Sequence, residues 1–200
     1  MAFSPFIVGI GGTARPSSTS ERAVAEALRC AEALGARTKL FDGGFVSRLP
    51  LYLPGRSSCS PEEQELINDI RCCQGVIVGT PGYHGSLSGP IKNALDLLED
   101  TARDSCPYLD GRAFGCVVTS YGWQACGTTL VSLRMIAHGL RAWPTPYGAA
   151  LNASTPLFQT DGTCIEPDIS KQLSLVAAQV VEFARWREAG RASNVDPFCR

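Results

Sequence analysis

The chain has 200 residues, 44% of them hydrophobic, enough to bury one sizeable core and few for two, so a single domain over 1–189 with a poorly ordered tail over 190–200 is expected. A formal net charge of -1 with scattered basic residues argues against nucleic acid or an acidic membrane surface as a partner. No apolar stretch approaches the roughly 20 residues that span a bilayer, and the N-terminus lacks the basic and apolar regions of a signal peptide, so a cytoplasmic location is expected.

In chain order, the apolar run 6–10 ends in glycines and predicts a buried strand with a tight turn. After a polar stretch, Val24, Leu28, Ala31 and Leu34 recur at helical spacing over 21–34, and Gly35 stops that helix. A short second strand is expected over 37–41, then irregular chain over 49–55. Ser60-Pro61-Glu62-Glu63 combines an N-cap hydroxyl, proline at the first helical position and first-turn acids, opening a helix to about Cys73. Residues 75–79 predict a second buried strand, ending in the turn-rich loop 80–86, and a helix follows over 88–99. The run 113–119 ends in another glycine-containing loop before a helix over 128–140. A last strand is expected over 143–151, and Ile169, Leu173, Val176, Val180 and Phe183 mark one face of a closing helix.

Strands that are continuously apolar, alternating with helices, belong to a parallel sheet covered on both faces. The fold class expected is α/β: a flavodoxin-like three-layer α/β/α sandwich with a five-stranded parallel sheet in strand order 2-1-3-4-5. Ligands of such sheets sit outside the carboxyl ends of the strands where the winding reverses, which selects the loops after the first, third and fourth strands.

The first of these loops carries Thr13, Arg15, Ser17, Ser18, Thr19 and Ser20 and leads into a helix. Backbone N–H groups at a helix N-terminus, hydroxyl donors and one guanidinium are what a terminal phosphate requires; the plainer alternative is a polar loop with an N-cap. Gly9-x-Gly11-x-x-Ala14, with Asp42 after the second strand, also fits the dinucleotide fingerprint in form. In that motif the helix opens among the glycines, whereas Pro16 here turns Arg15 away from helical geometry and delays the helix to about Ser20, which suits one phosphate better than two. A Walker loop is excluded because no Gly-Lys-Ser/Thr follows the glycines.

The second loop, Thr80-Pro81-Gly82-Tyr83-His84-Gly85-Ser86, lets backbone approach a flat ring and offers Tyr83 to cover it; alone, it reads equally as a tight turn with a half-buried tyrosine. The third, Ser120-Tyr121-Gly122-Trp123, brings glycine and aromatics to the same end of the sheet, as a ring wall, a core lid or a subunit interface. Nine cysteines, odd in number and without Cys-x-x-Cys, read as reduced packing thiols. With two histidines, His84 and His138, no metal site is expected.

Taken together, Gly11-Gly-Thr-Ala-Arg-Pro-Ser-Ser18 and Pro81-Gly-Tyr-His-Gly-Ser-Leu-Ser-Gly-Pro-Ile-Lys-Asn-Ala-Leu-Asp96 resemble the NADPH-dependent FMN reductase family over roughly residues 5–150. That family is flavodoxin-like and includes flavin, quinone, azo-dye and chromate reductases. The resemblance implies FMN as cofactor and NADPH or NADH as co-substrate. It places the FMN phosphate on Thr13, Arg15, Ser17, Ser18 and Ser20, the 81–86 loop beside the isoalloxazine, and 120–123 along its other side. It also implies a homodimer or homotetramer. Lys92 and Asp96 match the family helix, where an i,i+4 pair is structural or interfacial.

On this reading the flavin carries the chemistry, hydride passing from the nicotinamide to N5 and on to an acceptor in ping-pong order, with no catalytic triad required. His84, of ordinary pKa near neutrality, is a candidate proton donor or simply a loop histidine bonding backbone or cofactor. The rivals are a flavodoxin-type electron carrier, which is usually far more acidic than this chain, an FMN-dependent dehydrogenase or reductase of a specialised metabolite, and a nicotinamide-dependent dehydrogenase without flavin.

Overall fold

The computed structural model describes residues 3–56 and 58–192. Phe6–Gly11 forms β1, Thr19–Ala33 α1 and Arg37–Phe41 β2; a four-residue helix α2, Gly43–Val46, follows at once, and Pro61–Cys72 forms α3. Gly75–Tyr83 is β3, Ser86–Leu87 β4 and Gly89–Asp96 α4, which tightens into a 3-10 turn over Leu97–Thr101. Ala113–Ser120 is β5, Trp123–Gly139 α5, Trp143–Pro144 β6, Ala149–Asn152 β7 and Pro167–Ala192 α6.

The sheet has seven strands, not five, in the order β2-β1-β3-β5-β6. Its five lateral positions keep the expected winding, because the lane beyond β5 is shared: β6 pairs with Ala113 and Phe114, and β7 with Val117 to Ser120, both parallel. The lane breaks over 145–148, where Pro146 has no N–H to give the ladder and Tyr147 turns to α6, donating its N–H to Gln179 and its hydroxyl to Gln172, each at 2.9 Å. The seventh strand, β4, is antiparallel to the extended end of β3.

Side chains alternate between the two faces of each strand. Ile7, Ile77, Val117 and Ala149 face α1 and α6, while Val8, Ile10, Val76, Val78, Cys116 and Val118 face α3, α4 and α5. Helices therefore cover both faces and every buried strand is apolar on both sides, the α/β three-layer arrangement that the uninterrupted hydrophobic runs require. On the α1 side the sheet presents Gly79, where an added Cβ would lie 2.2 Å from Val24 Cγ2; the missing side chain lets α1 lie close over the strand ends.

Besides β3, which runs on to Tyr83 and not 79, three helix ends differ most from expectation. Helix α5 starts at Trp123 and not 128, its first turn closed by the Cys126 N–H on the Gly122 carbonyl at 3.0 Å. The helix expected over 88–99 becomes 3-10 after Asp96, and the Thr101 hydroxyl closes the turn on the Leu98 carbonyl at 2.7 Å. Helix α6 continues through Gly190 to Ala192, into the expected tail; the rest of that tail, with Cys199, lies outside the described residues. Among the described residues no helix is long and apolar enough to cross a membrane.

Candidate functional site

The carboxyl ends of β1, β3, β5 and β7 surround a cleft of about 370 Å³. Thr13, Arg15, Ser17, Ser18, Thr19 and Ser20 line one end of it, and Pro81, Gly82, Tyr83, Ser120 and Tyr121 the other. Two loops far apart in sequence thus meet in one cavity, as the topology of a doubly wound sheet demands.

The first loop is built on α1. Ser18 is its N-cap, extended at φ -63 and ψ 157, with the hydroxyl accepting the Glu21 N–H at 3.3 Å and lying 3.3 Å from the Ser20 hydroxyl. The Arg15 N–H donates to Thr13 Oγ1 at 3.1 Å, folding the loop onto itself. Ser17 adopts a left-handed φ of 53. Asp42, the acid of the formal dinucleotide fingerprint, is occupied as the N-cap of α2, accepting the Phe45 N–H at 2.7 Å.

The second loop is more ordered than a loop. Strand β3 runs on through Pro81 to Tyr83 and turns back as β4. His84 and Gly85, at φ 51 and 84, form the two-residue corner whose double positive φ matches strand twist. The Thr80 hydroxyl, fully buried, accepts the Ser88 N–H at 2.9 Å and fixes the hairpin's base. At Gly82 an added Cβ would meet Thr129 Oγ1 at 2.8 Å and the Ala125 carbonyl at 3.1 Å, so α5 packs directly on hairpin backbone.

His84, Gly85 and Ser86 stand at the exposed hairpin end, outside the cleft lining, and so do Gly122 and Trp123, which open α5. The structure adds residues that the sequence reading missed: Arg22, Thr119, Ala153, Pro156, Leu157 and Phe158. The strand-end rule, applied to the loop after the last strand as well, would have found the last four. Arg22 lies on the first turn of α1 and donates to the Gln159 carbonyl at 2.8 Å. Leu157 accepts the Ile165 N–H at 2.9 Å, and Gln159 donates its N–H to Thr163 at 2.8 Å, so this wall is a small hairpin of its own.

The electrostatics favour an anion at the α1 end: two guanidinium groups, Arg15 and Arg22, line the cleft, and no carboxylate does. The N–H groups of Thr19 and Ser20, first of the helix, add the positive end of the helix dipole. The remaining walls are Pro81, Tyr83, Tyr121, Leu157 and Phe158, apolar and partly aromatic as a planar ring requires. Donors and wall together fit a phosphomonoester joined to a flat heterocycle, the shape of FMN.

Lys92 and Asp96 form an exposed i,i+4 ion pair at 2.5 Å. Asn93 between them is structural, accepting the Tyr52 N–H at 2.8 Å and donating to the Pro50 carbonyl at 3.0 Å, which ties the 50–55 segment to α4. Apart from Cys106, the described cysteines are free thiols; burial pushes Cys116 up to about 12 and Cys73 to about 11, consistent with packing roles. Among the described residues no three His, Cys, Asp or Glu side chains are placed to hold a metal ion.

Residues 5–155 match the family described as NADPH-dependent FMN reductase. An NAD(P)H-dependent FAD/FMN reductase of Geobacillus thermodenitrificans is 25% identical over 126 residues, 63% of this chain and 64% of that protein. The chain thus spans just under two thirds of that relative's length. An FMN-dependent NADPH-azoreductase of Staphylococcus haemolyticus is 29% identical over 147 residues, covering 69% of this chain and 74% of its own. Among solved structures, the flavoenzyme NAD(P)H:(acceptor) oxidoreductase of Paracoccus denitrificans superposes with a TM-score of 0.72 at 21% identity, over 94% of this chain and 98% of that one.

Proposed function

The chain belongs to the NADPH-dependent FMN reductase family, and on that premise we propose that it is an FMN-binding oxidoreductase that takes reducing equivalents from NADPH or NADH and delivers them to a small-molecule acceptor such as a flavin or quinone. Thr13, Arg15, Ser17, Ser18, Thr19 and Ser20 hold the phosphate, with Arg22 closing the far side. Pro81, Gly82 and Tyr83 flank the ring on one side, Ser120 and Tyr121 on the other. Bound FMN supplies a two-electron carrier that accepts hydride from the nicotinamide and passes electrons on. The chain's own contribution is position, charge neutralisation of the phosphate and exclusion of water from the ring by Leu157 and Phe158.

The observation that carries this reading is the pairing of Arg15 and Arg22, without a carboxylate, at a helix N-terminus that opens into an apolar cleft. The near-neutral formal charge of -1 favours it over a flavodoxin-type carrier. Reconstituted with FMN, the protein is expected to turn over NADPH with a quinone or free flavin, giving parallel double-reciprocal lines as acceptor is varied. Intersecting lines would contradict the ping-pong order, and a coloured protein with no turnover would point to the carrier.

The reading includes a homo-oligomer in the cytoplasm. Its support is the solvent face of α5, where Trp123, Val131 and Met135 are 67%, 62% and 66% exposed at spacings that place them along one side of the helix. Sedimentation at micromolar concentration tests it, and a monomer would contradict it.

A further inference from the structure

Two helices of this chain begin with the same four-residue signature, and they use it differently. At α3 the pattern Ser60-x-x-Glu63 closes a full capping box: the Ser60 hydroxyl accepts the Glu63 N–H at 3.2 Å and the Glu63 carboxylate takes the Ser60 N–H at 2.6 Å. At α1 the pattern is Ser18-x-x-Glu21, and only the first half forms, the Ser18 hydroxyl accepting the Glu21 N–H. The Glu21 carboxylate passes over the Ser18 N–H and takes the one before it, Ser17, at 3.2 Å through Oε1. Its other oxygen accepts the Gly43 N–H at 3.0 Å, the first N–H of α2.

The displacement depends on two backbone features. Ser17 sits at a left-handed φ of 53. Gly43 has no room for a side chain, since an added Cβ would fall 2.0 Å from the Thr13 carbonyl oxygen; a glycine there lets α2 reach the carboxylate. One side chain thereby fastens the phosphate loop to the corner after β2. Among the described residues the Ser18 N–H donates to no protein acceptor. Glu21 itself does not line the cleft; it acts from behind.

We propose that Glu21 is a positioning residue for the phosphate of the cofactor: by spending its carboxylate on Ser17 and Gly43 it withholds it from Ser18 and leaves that N–H, with those of Thr19 and Ser20, to the ligand. The inference rests on the reading that this loop holds FMN. A carboxylate close behind a dianion would by simple repulsion weaken binding, so its removal would tighten it; a positioning carboxylate does the opposite, because without it the Ser17 turn loosens and the N–H array is lost.

Titration of the wild-type apoprotein, Glu21→Ala and Glu21→Gln with FMN and with riboflavin, followed by quenching of flavin fluorescence, separates these outcomes, with thermal melts of all three recorded alongside. Glu21→Ala is expected to weaken FMN about tenfold or more while riboflavin binding stays as in the wild type. Glu21→Gln, which keeps one acceptor oxygen, falls between. Equal or tighter FMN binding by Glu21→Ala would overturn the inference, and so would parallel losses for FMN and riboflavin, the mark of a merely structural role. A wild-type protein with no preference for FMN over riboflavin would overturn the FMN reading itself, an outcome distinct from both.

Discussion

The Arg22 guanidinium donates to the Gln159 carbonyl at 2.8 Å, so the helix that follows the first strand holds in place the loop that follows the last. Two walls of one cleft that lie 137 positions apart in sequence are joined by that bond. Replacing Arg22 with alanine should release residues 153–166, seen as faster amide exchange there than elsewhere, and weaken FMN by about tenfold, the usual worth of a charge-assisted hydrogen bond. Unchanged exchange in that segment would show the tie to be incidental.

Arg15 and Ser18 both line the cleft beside the start of α1, yet they differ in what else they do. Arg15→Ala and Ser18→Ala should each weaken FMN by about 10- to 100-fold and leave riboflavin binding nearly untouched. Ser18→Ala also deletes the N-cap acceptor of the Glu21 N–H, so it alone should cost about 1 kcal/mol of stability. Calorimetric titration with the two flavins and urea unfolding of both variants check the pair of expectations.

The close seat of α1 depends on Gly79. An alanine there would place its Cβ 2.2 Å from Val24 Cγ2 and 3.1 Å from the Ser20 carbonyl, an overpacking that should cost about 1–3 kcal/mol. Adding Val24→Ala should restore part of the loss, since it removes the clashing methyls. A Gly79→Ala variant as stable as the wild type would mean that α1 can shift freely on the sheet.

Much of this arrangement is legible in the residues. The runs at β1, β3 and β5 are apolar without a break because both faces are covered, and the strand-end rule then brings Thr13 to Ser20 and Pro81 to Tyr83 together. The misses have physical causes. Pro146 interrupts a lane that hydropathy reads as continuous. Helix α2 has four residues, two of them glycine, and leaves no periodicity to detect. His84 and Gly85 form a hairpin corner with positive φ at both positions, a conformation that hydropathy does not reveal, and neither lines the cleft. The role of Glu21 was hidden because Ser-x-x-Glu ordinarily predicts a box closed on its own N-cap.

The buried thiols give a pH dependence. Cys116 is held up to about 12 against an ordinary 9.0 because burial disfavours the thiolate. The folded state therefore keeps a proton that the unfolded chain releases above about pH 9, and stability falls as pH rises from there toward 12. Below pH 9 the contribution is fully present. Cys116→Ala should flatten that alkaline decline in urea midpoints, at the cost of a small cavity at all pH values.

The visible spectrum of the flavin-loaded protein decides whether it is a reductase. Purified protein loaded with FMN, made anaerobic and mixed with NADPH or NADH, should lose its visible flavin band, and the band should return when a quinone is admitted. A flavin band that neither nucleotide bleaches, or a protein that takes up a dinucleotide in this cleft and no FMN, would contradict the account.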